Sequence, residues 1–199
     1  MSQDAGCNFL ISVFGTIGAS IMADLGIKNI KIPSHETTNK KLIEFCSSKF
    51  DYIYFSAGAS TEKDVLEAVN ILKDGRADFN LMHCVSSYPV SDERANLNRI
   101  NWLSTMHSSI GYSDHTQSTI IPALAILNGA LVIEKHFTID KELPGRDNKF
   151  ALDPKEFNQM CQNIQTASNS IIDKGNGYQS IEEDTVMNYR GRWEPQDYS

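Results

Sequence analysis

Ser108-Ser109-Ile110-Gly111-Tyr112-Ser113-Asp114-His115-Thr116, and then Ala130-Leu131-Val132-Ile133-Glu134-Lys135-His136-Phe137-Thr138, read alike: a short run with the look of a buried strand, then a polar turn. Between them, Gln117 to Asn128 has apolar residues at helical spacing and stops at Asn128-Gly129, a helix C-terminus signal. The unit is therefore strand, turn, helix, strand, turn. Neighbouring strands of a parallel sheet lie about 5 Å apart, so their C-terminal ends set His115 beside His136. Two imidazoles with Ser, Asp and Lys around them point to a metal or anion site. The plainer alternative is two histidines that merely cap strands.

The same unit recurs along the chain. Phe9 to Phe14 is a short β-branched run, and Thr16 to Leu25 a helix ended by Gly26. Asn29 to Ile32 is a second strand, Thr38 to Lys49 a helix, and Tyr52 to Phe55 a third strand. Thr61 caps a helix running to about Lys73. Asn80 to His83 is a fourth strand, Glu93 to Ser104 a helix, and Asp153-Pro154 opens a last helix from Lys155 to about Asp173. Six βα units at such spacing predict a parallel sheet covered by helices.

The choice lies between a doubly wound sheet and a (β/α) barrel. No Gly-x-Gly-x-x-Gly follows the first strand, which disfavours a dinucleotide-binding fold. Each strand ends in chemically capable groups: Ser12, then Ser34 and Glu36, Ser56, His83 and Ser86, Ser113 and His115, Lys135 and His136. Only in a barrel do all strand ends converge on one mouth. The expected fold is thus a partial (β/α)8 TIM barrel over residues 1–174, with a polar tail or linker over 175–199. A full barrel needs eight units and about 250 residues; the sequence supplies six.

Composition narrows the function. The 199 residues are 41% hydrophobic and 22% charged, with a net charge of −7. That acidity argues against a nucleic-acid partner, since phosphate contact needs basic patches. No apolar run approaches the ~20 residues of a membrane span, and Met1 to Cys7 is too short and polar for a signal peptide. Cys7, Cys46, Cys84 and Cys161 form no Cys-x-x-Cys pair, and Cys46 and Cys84 read as buried reduced thiols of a cytoplasmic protein.

The motifs carry a resemblance. Gly111-Tyr112-Ser113-Asp114-His115-Thr116, Ile133-Glu134-Lys135-His136-Phe137-Thr138, His83-Cys84 with Ser87-Tyr88-Pro89, Leu143-Pro144-Gly145-Arg146-Asp147 and Lys31-Ile32-Pro33-Ser34-His35-Glu36 closely resemble the N-acetylneuraminate (sialic acid) synthase family, from about Phe9 to Ile171. The resemblance implies a barrel enzyme that condenses phosphoenolpyruvate with an N-acyl-mannosamine or related amino sugar, assisted by Mn or Mg. It places His115 and His136 as metal ligands and, with Lys31, as catalytic groups. It places Ser12, Lys31, Ser34, Ser56, Ser86, Tyr88 and Ser113 against phosphoenolpyruvate, and Glu36 and Asp147 against the sugar. These residue types suit the chemistry: Lys31 and hydroxyls match a phosphate and a carboxylate, and a cation on neutral imidazoles polarises an aldehyde.

Departures from the pattern qualify the expectation. The family's first two strands, with a glutamate base and a phosphate-binding lysine, have no counterpart, nor has its antifreeze-like domain. Ser-Thr-Pro-Phe-Asp becomes Ile11-Ser12-Val13-Phe14-Gly15, and Gly-Pro-Asp-His becomes Gly145-Arg146-Asp147-Asn148. Two readings follow: a cytoplasmic synthase domain completed by a homo-oligomer or a partner chain that supplies the missing strands, or a truncated, non-catalytic member that keeps the pocket.

Overall fold

The structure, a computed structural model, describes residues 6–193. Five strands form one sheet: β1 (Asn29–Ile32), β2 (Tyr52–Ser56), β3 (Asp78–Cys84), β4 (Ile110–Asp114) and β5 (Val132–Lys135). All are parallel and lie in sequence order. The helices α1 (Thr16–Asp24), α2 (Lys40–Lys49), α3 (Glu62–Asp74), α4 (Asn98–Ser104), α5 (Ile121–Leu127) and α6 (Pro154–Ser170) intervene, and a short α7 (Glu183–Asn188) follows. The result is a curled half-barrel.

Local sequence explains the boundaries. Thr61 and Asp64 form a reciprocal capping box that starts α3, and Asp153 with Glu156 does the same for α6. Gly129, at φ 97°, follows the end of α5 in the left-handed region that favours glycine. The expected helix over Glu93–Ser104 splits into a 3-10 turn, Asp92–Arg94, and α4, because Asn96 at φ 48° breaks the run.

Strand alternation divides the chemistry. Ile30 and Ile32, Ile53 and Phe55, Phe79 and Leu81, and Ile110 and Tyr112 join the core against the helices. The residues between them, Lys31, Ser56, Met82, Cys84, Gly111, Ser113 and Glu134, face the concave side. Register aligns Ser56 with Met82, Met82 with Gly111, and Cys84 with Ser113 and then Glu134.

Two expectations are corrected. The sequence predicted six strands; the sheet has five. Phe9 to Phe14 contributes a single bridge, Ser12 to Lys31, through Val13 N–H to Lys31 C=O at 2.9 Å and Lys31 N–H to Ile11 C=O at 2.8 Å. The ladder extends no further, and Phe9, Leu10 and Phe14 remain 55%, 43% and 60% exposed. The second correction concerns the decisive stretch. The extended backbone runs on through Asp114 and Lys135 rather than turning after Ile110 and Ile133.

Gly111 sits where the concave face is tightest. A Cβ there would lie 2.3 Å from Asn80 Oδ1 and 2.9 Å from Met82 Cγ. Gly111→Ala is therefore expected to destabilise the chain by about 1–3 kcal/mol, the usual cost of overpacking. Urea unfolding measures it, and an unchanged midpoint would show that Asn80 and Met82 give way freely.

Residues 175–193 hold only a 3-10 turn, Ser180–Glu182, and α7, and are almost wholly exposed. The end of the expected tail, 194–199, lies outside the described residues. Among the described residues no helix is long and apolar enough to cross a membrane.

Candidate active site

The concave side opens into a cavity of about 1030 Å³ at the C-terminal ends of the strands. Ser12, Lys31, Ser34, Ser56, Tyr88, Ser113, His115, His136 and Asp147 all line it. Sequence reasoning named each of these. They come together because successive βα units bring successive strand ends to one rim.

His115 and His136 follow β4 and β5 directly, and their ring centroids lie 5.4 Å apart at 56°. His115 Nδ1 is 2.8 Å from the Val85 carbonyl. A carbonyl only accepts, so Nδ1 carries the proton and the Nε2 lone pair is left available. Burial pushes the His115 pKa below its ordinary value, favouring the neutral ring that a metal needs. His136 Nδ1 lies 3.7 Å from Asp147 Oδ2, too far for a hydrogen bond. Tyr88 packs 4.2 Å from the His115 ring and 5.9 Å from that of His136, and Phe150 packs 5.2 Å from His136, centroid to centroid. The pair of imidazoles fits a divalent ion, with the remaining positions for water or substrate oxygens. Among the described residues no three His, Cys, Asp or Glu side chains gather closely enough to form a closed cage.

On the cavity floor, Lys31 Nζ donates to Glu134 Oε2 across 103 residues of sequence. Burial alone would raise the Glu134 carboxyl, but Lys31 and then the Ser113 hydroxyl hold it below its ordinary value. Hydroxyls surround this pair. Ser34 Oγ and Ser86 Oγ share a hydrogen bond of 2.7 Å, and Ser86 stands behind Ser34 rather than on the lining. Ser56 Oγ is buried and has no hydrogen-bond partner in the protein. A buried hydroxyl without a partner is costly unless something else supplies one. Cys84 lies 3.8 Å from both Ser86 Oγ and His115 Nδ1. Burial raises its thiol, so it stays protonated and is no nucleophile.

Other expected groups have different duties. Glu36 is off the lining, and its carboxylate accepts from Asn39 Nδ2 at 2.6 Å. Asp114 and Lys135 border the cavity, yet their charged ends engage each other at 2.5 Å, with side chains 0% and 2% exposed. Asp114 also accepts from Tyr112 Oη, Thr116 N–H and Thr116 Oγ1, while Lys135 also donates to the Thr116 and Ser118 carbonyls. This pair ties β5 to the loop after β4. His83 points to the helix side and donates from Nε2 to the Ala95 carbonyl at 2.8 Å.

Sequence reasoning assigned no role to Glu134. Its signal was there: it precedes His136 by two residues, so strand alternation puts both on one face. Arg146 and Lys149, also on the lining, were likewise given no role.

Comparison with known proteins agrees with this geometry. A model described as the NeuB family matches residues 1–176. The N,N'-diacetyllegionaminic acid synthase of Legionella pneumophila is 36% identical over 173 residues, covering 84% of this chain and 49% of that protein. The N-acetylneuraminate-9-phosphate synthase of Drosophila melanogaster is 30% identical over 191 residues, covering 90% and 51%. The crystal structure of a sialic acid synthetase from Leptospira borgpetersenii superposes with a TM-score of 0.88 at 30% identity, over 98% of this chain and 68% of that one. The chain thus spans about half the length of the curated relatives it matches. With a family model matched from its first residue to beyond its last sheet-covering helix, and with the strand-end residues gathered in one cavity, this chain belongs to the NeuB family.

Proposed function

We propose that this chain forms the catalytic face of a synthase that condenses phosphoenolpyruvate with an N-acyl-mannosamine or related amino sugar to give a nonulosonic acid for cell-surface carbohydrate. The observation that carries this reading is one cavity lined by the imidazoles of His115 and His136 and, on its floor, by Lys31 with serine hydroxyls, the donor types that a cation and an anion call for. The relatives' names supply the substrate class. Lys31, oriented by Glu134, is placed to meet the phosphate or carboxylate of phosphoenolpyruvate. Ser56, Ser34 and Ser113 donate to the remaining oxygens, which gives Ser56 Oγ the partner it lacks. Asp147, at the mouth, accepts from sugar hydroxyls. His115 and His136 would hold a divalent ion such as Mn or Mg, which would supply Lewis acidity toward the aldehyde oxygen. The His115–Val85 hydrogen bond keeps the ligating nitrogen aimed at that ion. Residues 1–174 form the barrel portion, and 175–199 a tail.

His115→Ala and His136→Ala are each expected to weaken Mn binding at least tenfold; thermal stability should hold nearly unchanged for the partly exposed His136, while His115, buried and bonded to the Val85 carbonyl, should also lose some stability. Paramagnetic resonance titration of Mn reads the affinity directly. Wild-type affinity in both variants would remove the metal from this reading.

A second reading, a non-catalytic member that needs a partner, is favoured by the bare apolar flanks of the half-barrel. Ile17, Ile21 and Leu25 on one side and Ile120, Leu127 and Leu131 on the other are each 47% to 81% exposed. A homo-oligomer or a partner chain in the cytoplasm would cover them. Phosphate release from phosphoenolpyruvate with N-acetylmannosamine, alone and with added partner, separates the two readings.

A further inference from the structure

We infer that the acceptor sugar carries an anionic group, a phosphate ester, at the end remote from its aldehyde, and that Arg146 and Lys149 receive it. The inference rests on the synthase reading and adds the charge class of the acceptor. The other lysines on the cavity lining have a partner of opposite sign within 4 Å, Lys31 with Glu134 and Lys135 with Asp114, and Asp147 stands 3.7 Å from the His136 ring. Arg146 and Lys149 differ. Among the described residues neither side chain makes an ion pair or a hydrogen bond, in a protein whose net charge is −7.

The segment that presents them is braced. Asn148 Nδ2 donates to the Leu143 and Pro144 carbonyls at 3.1 and 3.2 Å. Gly145, at φ 150°, leaves that amide its room, since a Cβ would lie 2.6 Å from it. Gln117 Nε2 reaches the Lys149 carbonyl at 3.5 Å, and Phe150 is buried beneath. Arg146 and Asn148, the cation and its brace, are also the two positions where the chain departs from the motif it otherwise resembles. A cavity of about 1030 Å³ sits at the top of the range for single drug-sized ligands, enough for two substrates end to end. The floor cation, Lys31, and its hydroxyls provide for phosphoenolpyruvate; the mouth cations are left for the other substrate. Guanidinium and ammonium groups together suit a phosphate dianion, the first through two parallel N–H bonds and the second as a point charge.

The test is calorimetric titration of residues 1–199, with Mn present, using N-acetylmannosamine 6-phosphate, N-acetylmannosamine and phosphoenolpyruvate separately. The phosphate ester should bind about 10- to 100-fold tighter than the neutral sugar, the span of one or two charge-assisted contacts. The double variant Arg146→Gln/Lys149→Gln should erase that difference and leave the affinities for the neutral sugar and phosphoenolpyruvate as they were. Both residues are exposed, so an unchanged melting curve is expected. Equal binding of the two sugars by the wild-type chain, with phosphoenolpyruvate still bound, overturns the anionic acceptor and spares the synthase reading. So does a variant that loses phosphoenolpyruvate along with the sugar phosphate, which would assign the cations to that substrate. Tight binding of the sugar phosphate without any binding of phosphoenolpyruvate overturns the synthase reading and leaves the anion site standing.

Discussion

Lys135→Met should lower the melting temperature by roughly 6–20 °C. The substitution leaves Asp114 fully buried with its 2.5 Å counter-ion removed. Breaking one partner out of a buried pair costs about 3–5 kcal/mol, against a total stability of about 5–15 kcal/mol, and each kilocalorie shifts the melting point of a chain this long by roughly 2–4 °C. Lys135 also loses its bonds to the Thr116 and Ser118 carbonyls, so the loop after β4 loses an anchor. The double variant Asp114→Leu/Lys135→Met should recover most of the loss, because replacing both charges with apolar groups removes the uncompensated ion. Thermal melts of the wild type and both variants decide it. A wild-type melting temperature for Lys135→Met, with substrate binding lost, would make Lys135 a substrate contact and not a strut.

Purified residues 1–199 are expected to self-associate, with a solution mass above the 22.2 kDa of one chain. Ile17, Ile21 and Leu25, about one helical turn apart, line the outer side of α1 and its C-terminal cap and are 81%, 50% and 69% exposed. Ile120, Leu124, Leu127 and Leu131 form a matching stripe at the β5 edge, 57%, 38%, 47% and 69% exposed. Covering one such side chain fully is worth about 1.5–3 kcal/mol. Seven half-exposed ones leave on the order of 10 kcal/mol unrealised, comparable with the stability of a whole domain. Both stripes flank open strand edges, whose unpaired N–H and C=O groups add a second reason to associate. Sedimentation velocity gives the mass, and Ile17→Glu/Ile21→Glu should shift it toward the monomer. A concentration-independent 22.2 kDa monomer would show that these stripes tolerate water.

Much of this was legible in the sequence, and the failures share a cause. The βα alternation was readable because each helix carries its own stop and start signals, such as Asn128-Gly129 and the Thr61 cap. The rim residues were readable because strand ends in a barrel share one mouth. What misled was the polar end of a buried strand. Gly111-Tyr112-Ser113-Asp114 looks like a turn by hydropathy, yet Tyr112 and Asp114 are satisfied by each other and by Lys135 on the helix side. Apolar pattern alone cannot see a strand whose buried face closes on an ion pair. Phe9 to Phe14 erred the other way: its residues favour a strand, yet it meets β1 only at the Ser12–Lys31 bridge. Glu134 was passed over because its partner, Lys31, is 103 residues away, beyond any local pattern.

The alternation along β4 and β5 has a consequence for how this protein tolerates genetic change. Along each strand and the residue after it, alternate positions belong to different jobs: Ser113, His115, Glu134 and His136 to the cavity, Tyr112, Asp114 and Lys135 to holding the fold. Point substitutions can therefore alter one job and spare the other. A deletion of a single codon in either strand cannot, because a one-residue slip exchanges the two faces. It would thrust the Asp114–Lys135 charges into the cleft and the cavity-lining groups into the core, so the cavity and the stability would be lost together. In these few residues the reading frame of the sheet is as tightly constrained as the identity of the side chains.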